Sequence, residues 1–135
     1  MFTNVEHIGI AVRDLAASNE LFSTLLNSQP YKAEEVVSEG VMTSFFRVNQ
    51  TKIELVAATK PDSPIATYLD KRGEGIHHLA FEVDDIEAEM TRLREAGFSL
   101  LSDVPRRGAD NKLVCFVHPK TANGVLVELC QEIRQ

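Results

Sequence analysis

No stretch of this sequence is apolar for long enough to span a bilayer, and its opening, MFTNVEHIGIAV, lacks the basic, apolar and small-residue segments of a signal peptide. A cytoplasmic protein with no membrane partner is therefore expected. Basic residues are in deficit: 14 Lys and Arg stand against 20 Asp and Glu, a net charge of −6. No basic face can be read that would release phosphate counterions, which argues against nucleic acid. Cysteine is scarce. Cys115 and Cys130 each lie in an apolar strand-like run without CxxC spacing, a pattern of buried free thiols rather than of a disulfide or a metal clip. What is present suits a packed domain: 44% hydrophobic and 25% charged residues in a chain of 135, enough for one domain or two small halves folded together.

The chain repeats itself. His7-Ile8-Gly9-Ile10-Ala11-Val12-Arg13-Asp14 aligns with His78-Leu79-Ala80-Phe81-Glu82-Val83-Asp84-Asp85 at an offset of 71, and TKIELV, carrying Glu54, aligns with GVLVELC, carrying Glu128, at an offset of 74. Each half opens on a strand histidine and closes on a strand glutamate, and a duplicated unit of this kind governs the reading of the whole fold.

The elements between those ends follow one order. Asp14 caps a helix over LAASNELFSTLL with an apolar stripe of Leu15, Phe22, Leu25 and Leu26. Asp84 with Glu87 forms a capping box for IEAEMTRLREA, where Ile86, Met90 and Leu93 share a face and Gly97 stops the helix. Strands are expected near 31–38, 41–49 and 51–57 in the first half, and near 99–103, 112–118 and 125–131 in the second. A further helix, SPIATYLDKR, begins at the Ser63 cap with Pro64 in its first turn. The prediction is an α+β fold of two βαβββ modules, about 4–60 and about 75–132 within a single domain, related by a pseudo-twofold and forming a curved mixed sheet around a metal cleft.

Strand alternation sorts the chemistry. His7 shares a face with Val5, Gly9 and Ala11, and His78 with Ala80, while Ile8, Ile10, Val12, Leu79, Phe81 and Val83 point the other way into the core. Small neighbours leave space beside each imidazole. Glu54 and Glu128 likewise oppose their apolar neighbours, Ile53 with Leu55 and Val127 with Leu129. A lone strand histidine is ordinarily a structural residue, but two histidines and two carboxylates at equivalent places of a repeat point to one divalent ion per chain, zinc, cobalt, nickel or manganese, with positions left open. His77 points away from His78 and is read as structural or as support behind a ligand, and His118 as the start of a turn or, alternatively, a residue near a bound ligand. Arg106, Arg107, Lys112 and Lys120 outnumber Asp103 and Asp110 in one segment. That segment reads either as a solvated loop or as a contact for phosphate or carboxylate.

The strings HIGIAV, KIEL, HHLAFEVDD and GVLVEL in paired βαβββ units resemble the vicinal oxygen chelate superfamily, the fold of glyoxalase I, extradiol dioxygenases and fosfomycin resistance proteins. Within it, DSPIATYLDKRGEGIHHLAFEVDDIEA followed by PRRGADNKLVCFVHPKTANGVLVEL resembles the methylmalonyl-CoA epimerase family over nearly the whole chain. The resemblance implies metal ligands at His7, Glu54, His78 and Glu128, an acyl-CoA substrate, and a homodimer. It also implies epimerisation at the carbon between thioester and carboxylate, with Glu128 as ligand and base in turn. Some members carry a second glutamate where this chain has Thr43. A glyoxalase-type lyase or isomerase would use the same four ligands; a non-catalytic binding protein of the same fold commonly loses them, and all four are present.

Overall fold

The computed structural model describes residues 1–134. In chain order the elements are β1 (Phe2–Ala11), α1 (Leu15–Leu26), β2 (Lys32–Val36), β3 (Val41–Val48), β4 (Thr51–Ala58), α2 (Pro64–Arg72), β5 (Gly75–Val83), α3 (Ile86–Glu95), β6 (Arg106–Gly108), β7 (Lys112–Val117) and β8 (Val127–Glu132). Short 3-10 turns occupy Val37–Glu39 and Pro119–Thr121. The β-α-β-β-β order occurs twice with α2 between, the α+β architecture that the repeat predicts. Two compact units can be drawn, residues 8–77, and residues 1–7 with residue 78 onward. Their boundary passes through β1 and β5, beside the two repeat histidines.

In the unit of residues 8–77 the strand order is β2-β3-β4-β1, with antiparallel β2/β3 and β3/β4 ladders. Helix α1 lays Leu15, Phe22 and Leu26 against Ile10, Val12, Phe46, Ile53, Leu55 and Ala57. Leu25, expected in that stripe, is 68% exposed: at 100° per residue it falls about 80° from the line joining Leu15, Phe22 and Leu26. Asp14 accepts from the Ala17 amide at 3.1 Å and starts the helix. The second helix packs Ile65 and Leu69 on Ala11, Val41 and Val56; its first turn is held by Ser63, which accepts from the Ala66 amide at 3.1 Å. Gly40 connects the 3-10 turn to β3 at φ 65°, and a side chain there would bring its Cβ to 3.0 Å from that of Ser63. Only glycine meets both demands.

In the other unit the order is β1-β5-β8-β7-β6, with β5/β8 parallel and the β8/β7 and β7/β6 ladders antiparallel. Helix α3 buries Ile86, Met90 and Leu93 against Val83, Cys115, Val117 and Leu129. Two expectations are corrected here. The cap is Asp85, not Asp84: Asp85 is extended and accepts from the Ala88 amide at 3.1 Å, and the Ile86 amide donates to Gln131 at 2.7 Å. The strand expected near 99–103 reduces to a bridge between Leu100 and Val117. Arg94 takes the carbonyls of Ser102 and Asp103 at 3.0 and 2.8 Å, and Pro105 follows with no amide to donate. The second strand of this half forms instead from Arg106–Gly108, inside the segment read as a basic loop.

Candidate metal centre

Registers across β5, β8 and β7 put one row of side chains on a single face: Ala80 lies beside Glu128, and Glu128 beside Phe116. Alternation adds His78 to that face, along with Cys130, Val114 and Lys112. The opposite face carries Leu79, Leu129, Cys115 and Val117, of which Leu129, Cys115 and Val117 pack under α3. Ala80 is fully buried and small, so space beside Glu128 goes to imidazoles. His78 packs edge-on to Phe116, ring centroids 5.8 Å apart, and edge-on to His7 at 5.0 Å.

Three polar atoms converge. Nε2 of His7 is 2.9 Å from Nε2 of His78 and 3.4 Å from Oε1 of Glu128, and Nε2 of His78 is 3.2 Å from the same oxygen. All three residues are 6% exposed. Donors about 2.1 Å from one ion stand roughly 3.0 Å apart at a right angle and roughly 3.4 Å apart at a tetrahedral angle. The observed spacings, 2.9, 3.2 and 3.4 Å, lie within about 0.1 Å of that range, so two imidazole nitrogens and a carboxylate oxygen fit a divalent ion of the nitrogen- and oxygen-preferring kind. Burial alone would push the Glu128 carboxyl up, but while His7 and His78 are protonated their hydrogen bonds and charge outweigh it and lower it to about 2. Cys130, on the same face, contributes no thiolate: burial, then the charges of Glu128 and Glu6, hold its pKa far above the ordinary thiol range. Its Sγ donates to the Phe81 carbonyl at 3.4 Å.

Behind His7 stands a carboxylate that strand alternation does not reveal. Glu6 Oε1 lies 2.8 Å from His7 Nδ1, with both side chains buried, and Glu6 Oε2 is 3.9 Å from the ammonium of Lys112. Its only sequence signal is a charged residue just before the histidine in an apolar strand.

The other predicted residues fall as follows. Glu54 is buried on β4, opposite Phe45 of β3. Thr43 is buried, and its hydroxyl donates to the Glu34 carbonyl at 3.0 Å. His77 stacks edge-on against Tyr68 at 4.7 Å, and His118 opens the Pro119–Thr121 turn by accepting from the Lys120 amide at 3.1 Å. The basic residues separate. Arg106 pairs with Val114 and shares the face of Glu128, Arg107 pairs with Leu113 and faces the other way, Lys120 is exposed, and Lys112 is buried beside Glu6. Both cysteines are buried free thiols, as expected. Among the described residues, no helix is long and apolar enough to cross a membrane.

Comparison with known proteins gives a consistent set of relatives. Residues 6–116 match the Glyoxalase/Bleomycin resistance protein/Dioxygenase superfamily. The ethylmalonyl-CoA/methylmalonyl-CoA epimerase of Cereibacter sphaeroides is 41% identical over 97% of this chain and 99% of its own, and the mitochondrial methylmalonyl-CoA epimerase of Homo sapiens is 38% identical over 94% and 73%. A solved Streptomyces coelicolor methylmalonyl-CoA epimerase variant in complex with 2-nitronate-propionyl-CoA superimposes with a TM-score of 0.96 at 33% identity, over 99% of this chain and 100% of that one.

Proposed function

The chain belongs to the methylmalonyl-CoA epimerase family, and from that membership and the convergence of His7, His78 and Glu128 we propose that it interconverts the (2R) and (2S) epimers of methylmalonyl-CoA at a divalent-metal centre. It is an isomerase. Glu54 is the fourth ligand of the proposal, supported by its burial and by its equivalence to Glu128 in the repeat. Cobalt, zinc, manganese or nickel, once bound, supplies electrophilic stabilisation of the negative charge that develops as the α-proton leaves.

The chain's own residues do the rest. Glu128 accepts the proton as a carboxylate, its oxygen standing 3.4 and 3.2 Å from the two imidazoles. A carboxylate is a far weaker base than the carbanion it would leave behind, so removal depends on the accompanying charge stabilisation. Thr43 is not the partner on the other face, because its hydroxyl proton is committed to the Glu34 carbonyl. Of the basic residues, Arg106 and Lys120 are the proposed contacts for coenzyme A phosphates: both are exposed, and Arg106 is on the same sheet face as Glu128. Arg107 lies on the opposite face and Lys112 is buried. On family resemblance alone, the enzyme is further proposed to work as a homodimer in the cytoplasm.

The observation that carries the reading is the cluster of three buried donors, and the test is an assay of metal-loaded protein with each epimer of methylmalonyl-CoA in deuterated solvent, beside methylglyoxal with glutathione. Interconversion with deuterium entering the α position is the expected result. Turnover of the glutathione adduct alone would replace this reading with a glyoxalase.

A further inference from the structure

We infer that Glu6 is a positioning residue: it holds His7 in the tautomer with the proton on Nδ1, so that the Nε2 lone pair is turned toward His78 and Glu128. The inference rests on the metal centre proposed above but concerns a group outside its ligand set. Neighbouring strand residues normally send their side chains to opposite faces. Here the Glu6 carboxylate nevertheless meets His7 Nδ1 at 2.8 Å with both groups buried. An ionised carboxylate only accepts hydrogen bonds, so the shared proton sits on Nδ1, leaving Nε2 as the basic nitrogen of a neutral ring. A carboxylate on the far side of a metal-bound imidazole also fixes the ring's orientation and raises its basicity.

The arrangement also keeps an ion from the wrong side of His7. Donor atoms of Glu6, His7 and Cys130 lie within 4.8 Å of one another, a second group that could hold a cation if Nδ1 carried the lone pair. Three features oppose that outcome. The Nδ1 proton occupies the position, the Cys130 thiol donates to the Phe81 carbonyl, and the Lys112 ammonium stands 3.9 Å from Glu6. The two nitrogens of one imidazole therefore face two differently prepared environments, and Glu6 decides which one binds.

The test combines two readouts. In metal-free, uniformly ¹⁵N-labelled wild-type protein at neutral pH, long-range proton–nitrogen correlation should give His7 as the Nδ1–H tautomer; the Nε2–H tautomer would overturn the inference without any substitution that risks the fold. Calorimetric titration with Co²⁺ should then show Glu6→Leu binding about 10- to 100-fold more weakly than wild type. Glu6→Gln, whose side-chain carbonyl can still accept from Nδ1, should keep the tautomer and lose less. Wild-type affinity in a folded Glu6→Leu protein would also overturn the inference. If the wild-type protein binds no stoichiometric ion, the metal-centre reading fails, and the tautomer measurement alone decides the role of Glu6.

Discussion

At the scale of single residues, Glu128 is assigned two tasks, ligand and proton acceptor, and substitution separates them. Glu128→Gln keeps an oxygen near His7 and His78 but removes the base, so turnover should fall at least about 100-fold while the ion is retained at reduced affinity. Thr43→Ala should change the rate only modestly, since the lost interaction is a hydrogen bond to the Glu34 carbonyl; its main effect should be about 1 kcal/mol of stability. Solvent deuterium exchange into each epimer measures both. If Glu128→Gln exchanges both epimers at the wild-type rate, Glu128 is a ligand only. The convergence of His7, His78 and Glu128 was legible in the sequence because Glu128 stands between Val127 and Leu129, and each histidine precedes an apolar residue, Ile8 or Leu79, that alternation sends the other way. Glu6 was not, because the same alternation assigns it to the face away from His7, and only a carboxylate long enough to reach back to Nδ1 breaks the rule.

Secondary-structure elements were legible where local chemistry alone sets them. The helices over 15–26 and from Pro64 begin on side chains whose oxygens accept the predicted third amide onward. Where tertiary partners intervene, the reading fails: Arg94, one helix away, captures the carbonyls that a strand near 99–103 would need, and the ladder restarts at Arg106. That shift has a functional consequence. In a loop, Arg106 and Arg107 would be interchangeable; in β6 they point to opposite faces. Arg106→Ala should therefore raise KM for the acyl-CoA several-fold with kcat less affected, the mark of lost uniform binding, and Arg107→Ala should leave both near wild type. Equal effects of the two substitutions, measured at low and moderate salt, would remove β6 from substrate binding.

For the molecule as a whole, the duplication was legible because two passages repeat a histidine and a glutamate in the same order, whereas the division into compact units was not, since it cuts within β1 and β5 rather than between the repeats. The proposed site, built from residues as far apart in sequence as His7, His78 and Glu128, would link ion binding to the stability of the folded chain. An ion that binds only the folded state at 100 times its Kd stabilises it by about 2.7 kcal/mol. Binding requires neutral imidazoles, so that increment should fade as pH drops below roughly 6 and vanish with chelator at any pH. Glu128 behaves differently. Its carboxyl is lowered from 4.5 to about 2 in the folded protein, so the unfolded chain takes up its proton first as pH falls. The stability Glu128 contributes is complete above 4.5 and is lost only as pH falls toward about 2. Melting temperatures measured with Co²⁺ and with chelator should therefore differ at pH 7.5, converge near pH 5, and decline together below pH 4.5. Curves that coincide at pH 7.5 would deny a metal linked to folding, and curves still apart at pH 5 would deny that the histidines are its ligands.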